Sequence, residues 1–173
     1  MATGGPDKSG RSRIAGRFQA MDAKTIAAAG LKSACKKFLQ DLQALPEDAF
    51  AKSLGGVART VADIVYEVNL VNDHVGMVVR GEEPFVWPEG LVKAPADFQT
   101  KQAVIEGFER SSHRIIATVD ALTPEGIEAT IDTEDGETTR FERFRFITLH
   151  LWYHSGQLNF IQTLLGDADW HWQ

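Results

Sequence analysis

One cysteine, Cys35, stands in 173 residues, so neither an internal disulfide nor a cysteine-rich zinc module can form. No apolar run approaches the 18 or so residues that a membrane-spanning helix requires. Basic residues are not grouped beyond the first twenty positions. Lys and Arg number 18 against 24 Asp and Glu, for a net charge of −6, and the chain after residue 20 is near −9. Such a balance repels phosphate and excludes a nucleic-acid binder. No glycine-rich phosphate loop, no G-x-S-x-G elbow and no Ser/His/Asp set is present. Lys8, Arg11, Arg13 and Arg17 are followed by no apolar stretch, which is not the pattern of a secretory signal. The expected compartment is the cytoplasm.

What is present is a globular composition, 43% hydrophobic and 24% charged, in a chain of one-domain length. Residues 1–20 are rich in Gly, Ser and Arg, lack periodicity and read as a flexible tail. Residues 21–173 read as a single domain. Leu31, Cys35, Phe38, Leu42 and Leu45 form one helical stripe, with Asp22 as N-cap and Pro46 as stop. Residues 46–58 read as a connection with one helical turn. A second helix starts at Thr60, where Thr60 and Asp63 have capping-box spacing, and ends at Gly81. Its stripe is Val61, Ile64, Val65, Val68, Val71, Val75 and Val78.

Residues 81–97 hold three prolines and read as a loop. A third helix covers about 97–122 and buries Val104, Ile105, Phe108, Ile115, Ile116 and Val119. Residues 123–139 carry six acids and no base, a solvated acidic loop. The fourth helix opens with the T-x-x-E capping box of Thr139 and Glu142 and runs to about Leu165. Four amphipathic helices and no convincing strand give an all-α fold, a four-helix bundle with long loops between helices 2 and 3 and helices 3 and 4. Those loops imply a crossover or a framed pocket.

The chemistry lies in the last helix. His150 and His154 are i and i+4, one turn apart on one face, and a 100° wheel places them with Phe146, Ile147, Gln157, Leu158, Ile161 and Leu165 in the apolar stripe. Burying an unpartnered polar ring costs about 1–3 kcal/mol. A shared divalent metal satisfies both rings at once, and hydrogen bonds across the core are the competing solution. Leu151, directly after the first histidine, excludes the zincin motif. Two histidines need a third ligand, and the second helix offers Glu67 or His74, which share one flank. Cys35 reads as a small core residue.

These residues resemble the DinB-like (YfiT-like) metal-binding four-helix bundles. The resemblance rests on the Thr-capped segment Thr60–Glu67, on an acidic, glycine-containing loop before the last helix, and on His150-x-x-x-His154-Ser-Gly-Gln-Leu. It implies a three-ligand metal site, three histidines in most members, holding nickel or zinc. It also implies a low-molecular-weight thiol as a partner in catalysis and a homodimer. Counted from Thr60, the position of the first histidine is taken by Glu67, which lowers the charge of the ligand set by one unit. His74 is the substitute if Glu67 points to solvent.

Two functions follow. In one, a metalloenzyme acts on a small molecule by thiol transfer or hydrolysis, with Phe85, Trp87 and the Trp170–Trp172 tail walling its pocket. In the other, a non-catalytic dimeric metal-binding or stress-response protein uses the same fold without chemistry.

Overall fold

The computed structural model describes Met1, residues 21–134 and residues 136–173. Apart from Met1, the tail expected over 1–20 lies outside the described residues. Helix α1 spans Ala23–Ala44, α2 Val61–Arg80, α3 Lys101–Ala121, a short α4 Pro124–Glu128, and α5 Arg140–Leu164. Between α4 and α5 stand strands β1 (Thr130–Thr133) and β2 (Gly136–Thr139).

Local chemistry sets the boundaries. The Asp22 carboxylate accepts the Thr25 amide at 2.7 Å and opens α1. Thr60 and Asp63 make both halves of a capping box on α2, with the Asp63 amide on Thr60 Oγ1 at 3.0 Å and the Thr60 amide on Asp63 Oδ2 at 3.4 Å. Gly81 closes α2 in the left-handed region, at φ 75°. Helix α3 begins later than its apolar pattern implies. A separate 3-10 turn over Ala96–Phe98 comes first, and the Thr100 side chain then caps the helix.

Two expectations for residues 123–139 are corrected. The segment is not a plain loop: Thr123 caps the turn of α4, Ile127 is fully buried, and β1 and β2 pair antiparallel with Thr130 opposite Thr139. The capping box of the last helix is half made. Thr139 Oγ1 accepts the Glu142 amide at 3.2 Å, while the Glu142 carboxylate holds Arg145 at 2.9 Å.

Helix α1 packs on α3 and α5, and α2 packs on the same two, so α1/α2 and α3/α5 are the diagonals of the bundle. Cross-helix bonds fix the directions. Lys24 reaches Asp120 and Lys101 reaches Gln43, so α1 and α3 are antiparallel. Arg140 bonds the Val79 carbonyl while Glu67 faces His150, so α2 and α5 are also antiparallel. Asn72 meets Ser111 and Arg80 meets Thr118, so α2 and α3 run the same way.

That direction has a consequence for residues 81–100. At 1.5 Å per residue α2 is about 30 Å long, and the chain must travel back along it before α3 can start. Asp63 pins the returning segment: Oδ1 accepts the Ala94 amide at 2.8 Å and Oδ2 accepts Lys93 Nζ at 2.9 Å. Burial pushes this carboxyl up, but the Ala94 amide, Lys93 and the Thr60 amide outweigh burial and hold it below its ordinary value.

The core is built on Phe38 and Phe108, whose ring centroids are 4.7 Å apart, with Leu31, Leu42, Phe144, Ile147 and Leu151 fully buried around them. Cys35 belongs to this core, and burial pushes its thiol up to about 12. The C-terminal tail folds over one end. Trp172 Nε1 donates to Asp41 Oδ1 at 2.6 Å, and its ring packs edge-on against Trp152.

Candidate metal centre

Helix α5 carries large apolar side chains on its outer side as well as its inner one, which shifts its buried centre away from the place a wheel assigns. Ile147, Leu151, His154 and Leu158 face the core, whereas Phe146 is 45% exposed. His154 is therefore buried, with a side chain 1% exposed, while His150 lies at the rim at 13% and stacks on Phe146. The one-turn spacing brings the two rings edge to face, and His154 Nε2 lies 3.0 Å from His150 Nε2.

From α2, Glu67 comes to the same point. Its Oε1 is 3.8 Å from His150 Nε2 and 4.0 Å from His154 Nε2. One donor atom from each of the three residues falls within 4.8 Å of the other two. His74 does not join them. Its ring sits edge-on to Phe85 and Trp87, at 5.3 and 5.9 Å, in a separate cleft with Arg143 and Glu134. Of the two α2 candidates, the fold brings Glu67 to the histidines.

Two contacts unread in the sequence organise this cluster. Gln157 Oε1 lies 2.8 Å from His154 Nδ1 and 3.4 Å from Arg59 Nη2. An oxygen facing a guanidinium can only accept, so His154 carries its proton on Nδ1 and presents the Nε2 lone pair to His150. Arg59 also forms an ion pair with Glu67 through Nη1 and Oε2. The i+3 position of Gln157 relative to His154 is a signal available in the sequence. Arg59 lies on a loop, with no periodicity to reveal it.

Burial is the main cause that lowers both histidines to about 4. The neighbouring His154 and Arg59 add to it for His150; for His154, Arg59 also lowers, against the raising bond from Gln157. Both rings are neutral at neutral pH, the form that ligates. The two imidazoles also fit an ion dimensionally; Glu67 Oε1, at 3.8 and 4.0 Å from their Nε2 atoms, stands farther out. With metal–nitrogen bonds of about 2.0–2.1 Å, nitrogens at 90° lie roughly 2.9 Å apart and tetrahedral ones roughly 3.4 Å. The observed 3.0 Å falls in that interval. Two imidazoles and a carboxylate are a recognised ligand set for divalent transition metals.

The cluster lies at the edge of a cleft of about 620 Å³ lined by Arg59, Glu67, Trp87, Leu91, Tyr153 and Gln157. Trp87 and Leu91 belong to the returning segment that Asp63 pins. Phe85 packs instead on His74, and the Trp170–Trp172 tail packs on Asp41 and Trp152 at the α1 side of α5. The expectation that the tail walls this pocket is corrected, because the Asp41 carboxylate captures it on the other side of the helix.

If Gln157 sets the tautomer of His154, Gln157→Leu will weaken zinc binding by about ten- to hundredfold. Competition with a chromophoric chelator measures this, and a circular dichroism spectrum like the parent's separates the effect from unfolding.

No helix among the described residues is long and apolar enough to cross a membrane. No curated protein matches the sequence. Among solved structures, a DinB-like protein of Bacillus subtilis (YjoA) superposes with a TM-score of 0.66 at 13% identity, over 86% of this chain and 98% of the other. A DinB-like protein of Bacillus cereus gives 0.64 at 11%, over 81% and 91%. A mycothiol-dependent maleylpyruvate isomerase gives 0.58 at 16%, over 78% of this chain and 60% of that one. At these identities the likeness is one of fold. Residues 31–158, most of the chain, match the profile of the DinB superfamily, and the chain belongs to that superfamily.

Proposed function

We propose that the protein is a metal-dependent enzyme acting in the cytoplasm on a small molecule, by thiol transfer or by hydrolysis. Glu67, His150 and His154 would hold a divalent ion, nickel or zinc. The observation that carries this reading is the convergence of three donor atoms within 4.8 Å beside an open cleft. The fold it shares with a mycothiol-dependent isomerase favours a low-molecular-weight thiol as co-substrate. When bound, the ion supplies Lewis acidity and favours the deprotonated form of a coordinated water or thiol near neutral pH.

The remaining roles belong to side chains. Gln157 holds the His154 tautomer, Arg59 holds the outer oxygen of Glu67, and Trp87 with Leu91 limits water at one wall. Tyr153 also lines the cleft, from α5. The test is metal content of untagged protein, followed by titration of the cobalt-loaded form with a small thiol. A visible spectrum that shifts on adding thiol supports an open catalytic site. An unchanged spectrum favours the non-catalytic metal-binding protein, whose ion would be enclosed.

A homodimer is part of the proposal. Phe146, Leu149, Tyr153, Phe160 and Leu164 are each 45–64% exposed and form one stripe along α5. Its spacing of three, four, seven and four residues is the seam of helix pairing, and a second copy of the helix would cover it. The paired change Leu149→Glu with Leu164→Glu will then convert a dimer to a monomer in sedimentation velocity. A monomeric parent would refute this part alone.

A further inference from the structure

Arg59 joins two of the three proposed ligands. Its Nη1 is paired with Glu67 Oε2 and its Nη2 lies 3.4 Å from Gln157 Oε1, the atom that also holds His154. Because the guanidinium takes the outer oxygen of Glu67, the inner one, Oε1, is left facing both imidazoles. The Arg59 and Glu67 side chains are 15% and 21% exposed, so water screens this pair less than a surface pair.

Nothing in the helix accounts for a cation here. Arg59 immediately precedes the Thr60 cap, beside the positive end of α2, where acids are favoured and bases are not. The turn that carries it is nevertheless built. Ser53 Oγ donates to the Ala58 carbonyl at 3.1 Å, and the Ala58 amide donates to the Gly55 carbonyl at 3.1 Å. Gly55 and Gly56 supply the left-handed backbone, at φ 115° and 57°.

The charge count gives the arrangement a meaning that rests on the metal reading above. Imidazoles that ligate a metal are neutral. Replacing a third histidine by Glu67 removes one unit of positive charge, and Arg59 restores it. With a divalent ion the group would then carry two positive charges, the same as three neutral ligands would give. We propose that Arg59 is a positioning residue that confines Glu67 to coordination through one oxygen and cancels its charge, so that the loaded site is a receptor for a small anion.

Azide binding to cobalt-loaded protein, followed by visible absorption, tests this. Arg59→Met should retain cobalt but bind azide about tenfold or more weakly than the parent. Adding Glu67→His to Arg59→Met rebuilds a set of neutral ligands and should return azide affinity to within about threefold of the parent. A merely structural role for Arg59 would show no such recovery. Should Arg59→Met fail to fold, Arg59→Lys keeps the charge but not the fork. It should retain cobalt and hold azide affinity within about threefold of the parent, and a loss of azide affinity of about tenfold would overturn the inference. Azide affinity unchanged in Arg59→Met, or unrecovered in the double variant, overturns the inference. A parent that takes up no cobalt refutes the metal reading itself, and this inference with it.

Discussion

His154→Ala is expected to leave a folded protein that no longer retains a divalent metal. The ring is 1% exposed, and Gln157 fixes its orientation from behind. His150 and Glu67 lie nearer the rim, so neither can be redirected by packing to replace it. Loss of an outer contact to a metal ligand already costs about ten- to hundredfold in affinity, and loss of the ligand itself should exceed that. After reloading with nickel, zinc or manganese and desalting, the parent should hold about one ion per chain by mass spectrometry of the metal, and the variant almost none. Equal metal in both proteins would remove the histidine pair from the site.

The second large effect falls on the fold rather than the chemistry. Asp63→Ala removes one half of the α2 capping box, the anchor of the Ala94 amide and the partner of Lys93, from a side chain only 6% exposed. Leaving a buried amide unpaired and losing a charge-assisted bond should together cost about 2–4 kcal/mol, or roughly 5–15 °C in Tm for a domain of this size. Limited proteolysis should then cut first between Pro84 and Val92. The pH dependence has a definite sign. Because the folded state lowers the Asp63 carboxyl below its ordinary value, its contribution is fully present above the unfolded value near pH 4 and is lost as pH falls through the lower folded one. The Tm difference between parent and Asp63→Ala should therefore be constant from about pH 7 to 5 and shrink below about pH 4.

Much of this molecule is legible from its residues, and the exceptions have physical causes. Caps at Asp22, Thr60 and Gly81 act through atoms within a few residues, so their sequence signals survive folding unchanged. The spacing of His150 and His154 is likewise a property of one helix. Their depth is not. With Phe146, Leu149, Tyr153 and Phe160 on the outer side of α5, no apolar gradient marks which side faces in, and the wheel placed His150 and Phe146 too deep. In Thr130–Thr139 the acids masked the β-branched residues at 130, 131, 133, 138 and 139 and an Asp-Gly pair, which is a hairpin signal. The choice of Glu67 over His74 needed the crossing of α2 with α5. Arg59 needed a loop to fold back on a helix, which a linear pattern does not record.

The parallel course of α2 and α3 ties two selective pressures to one stretch of chain. Any protein with this topology needs a tether that runs back along α2, whatever it catalyses. Here the tether also supplies Trp87 and Leu91 to the cleft and is secured at Asp63. If the cleft takes the small molecule proposed above, residues 84–92 can be exchanged for other sequences of similar reach, with the Asp63–Ala94 anchor kept, to alter which molecules enter. The helices carrying Glu67, His150 and His154 would keep their register. The segment is the natural place to graft a new selectivity onto this bundle.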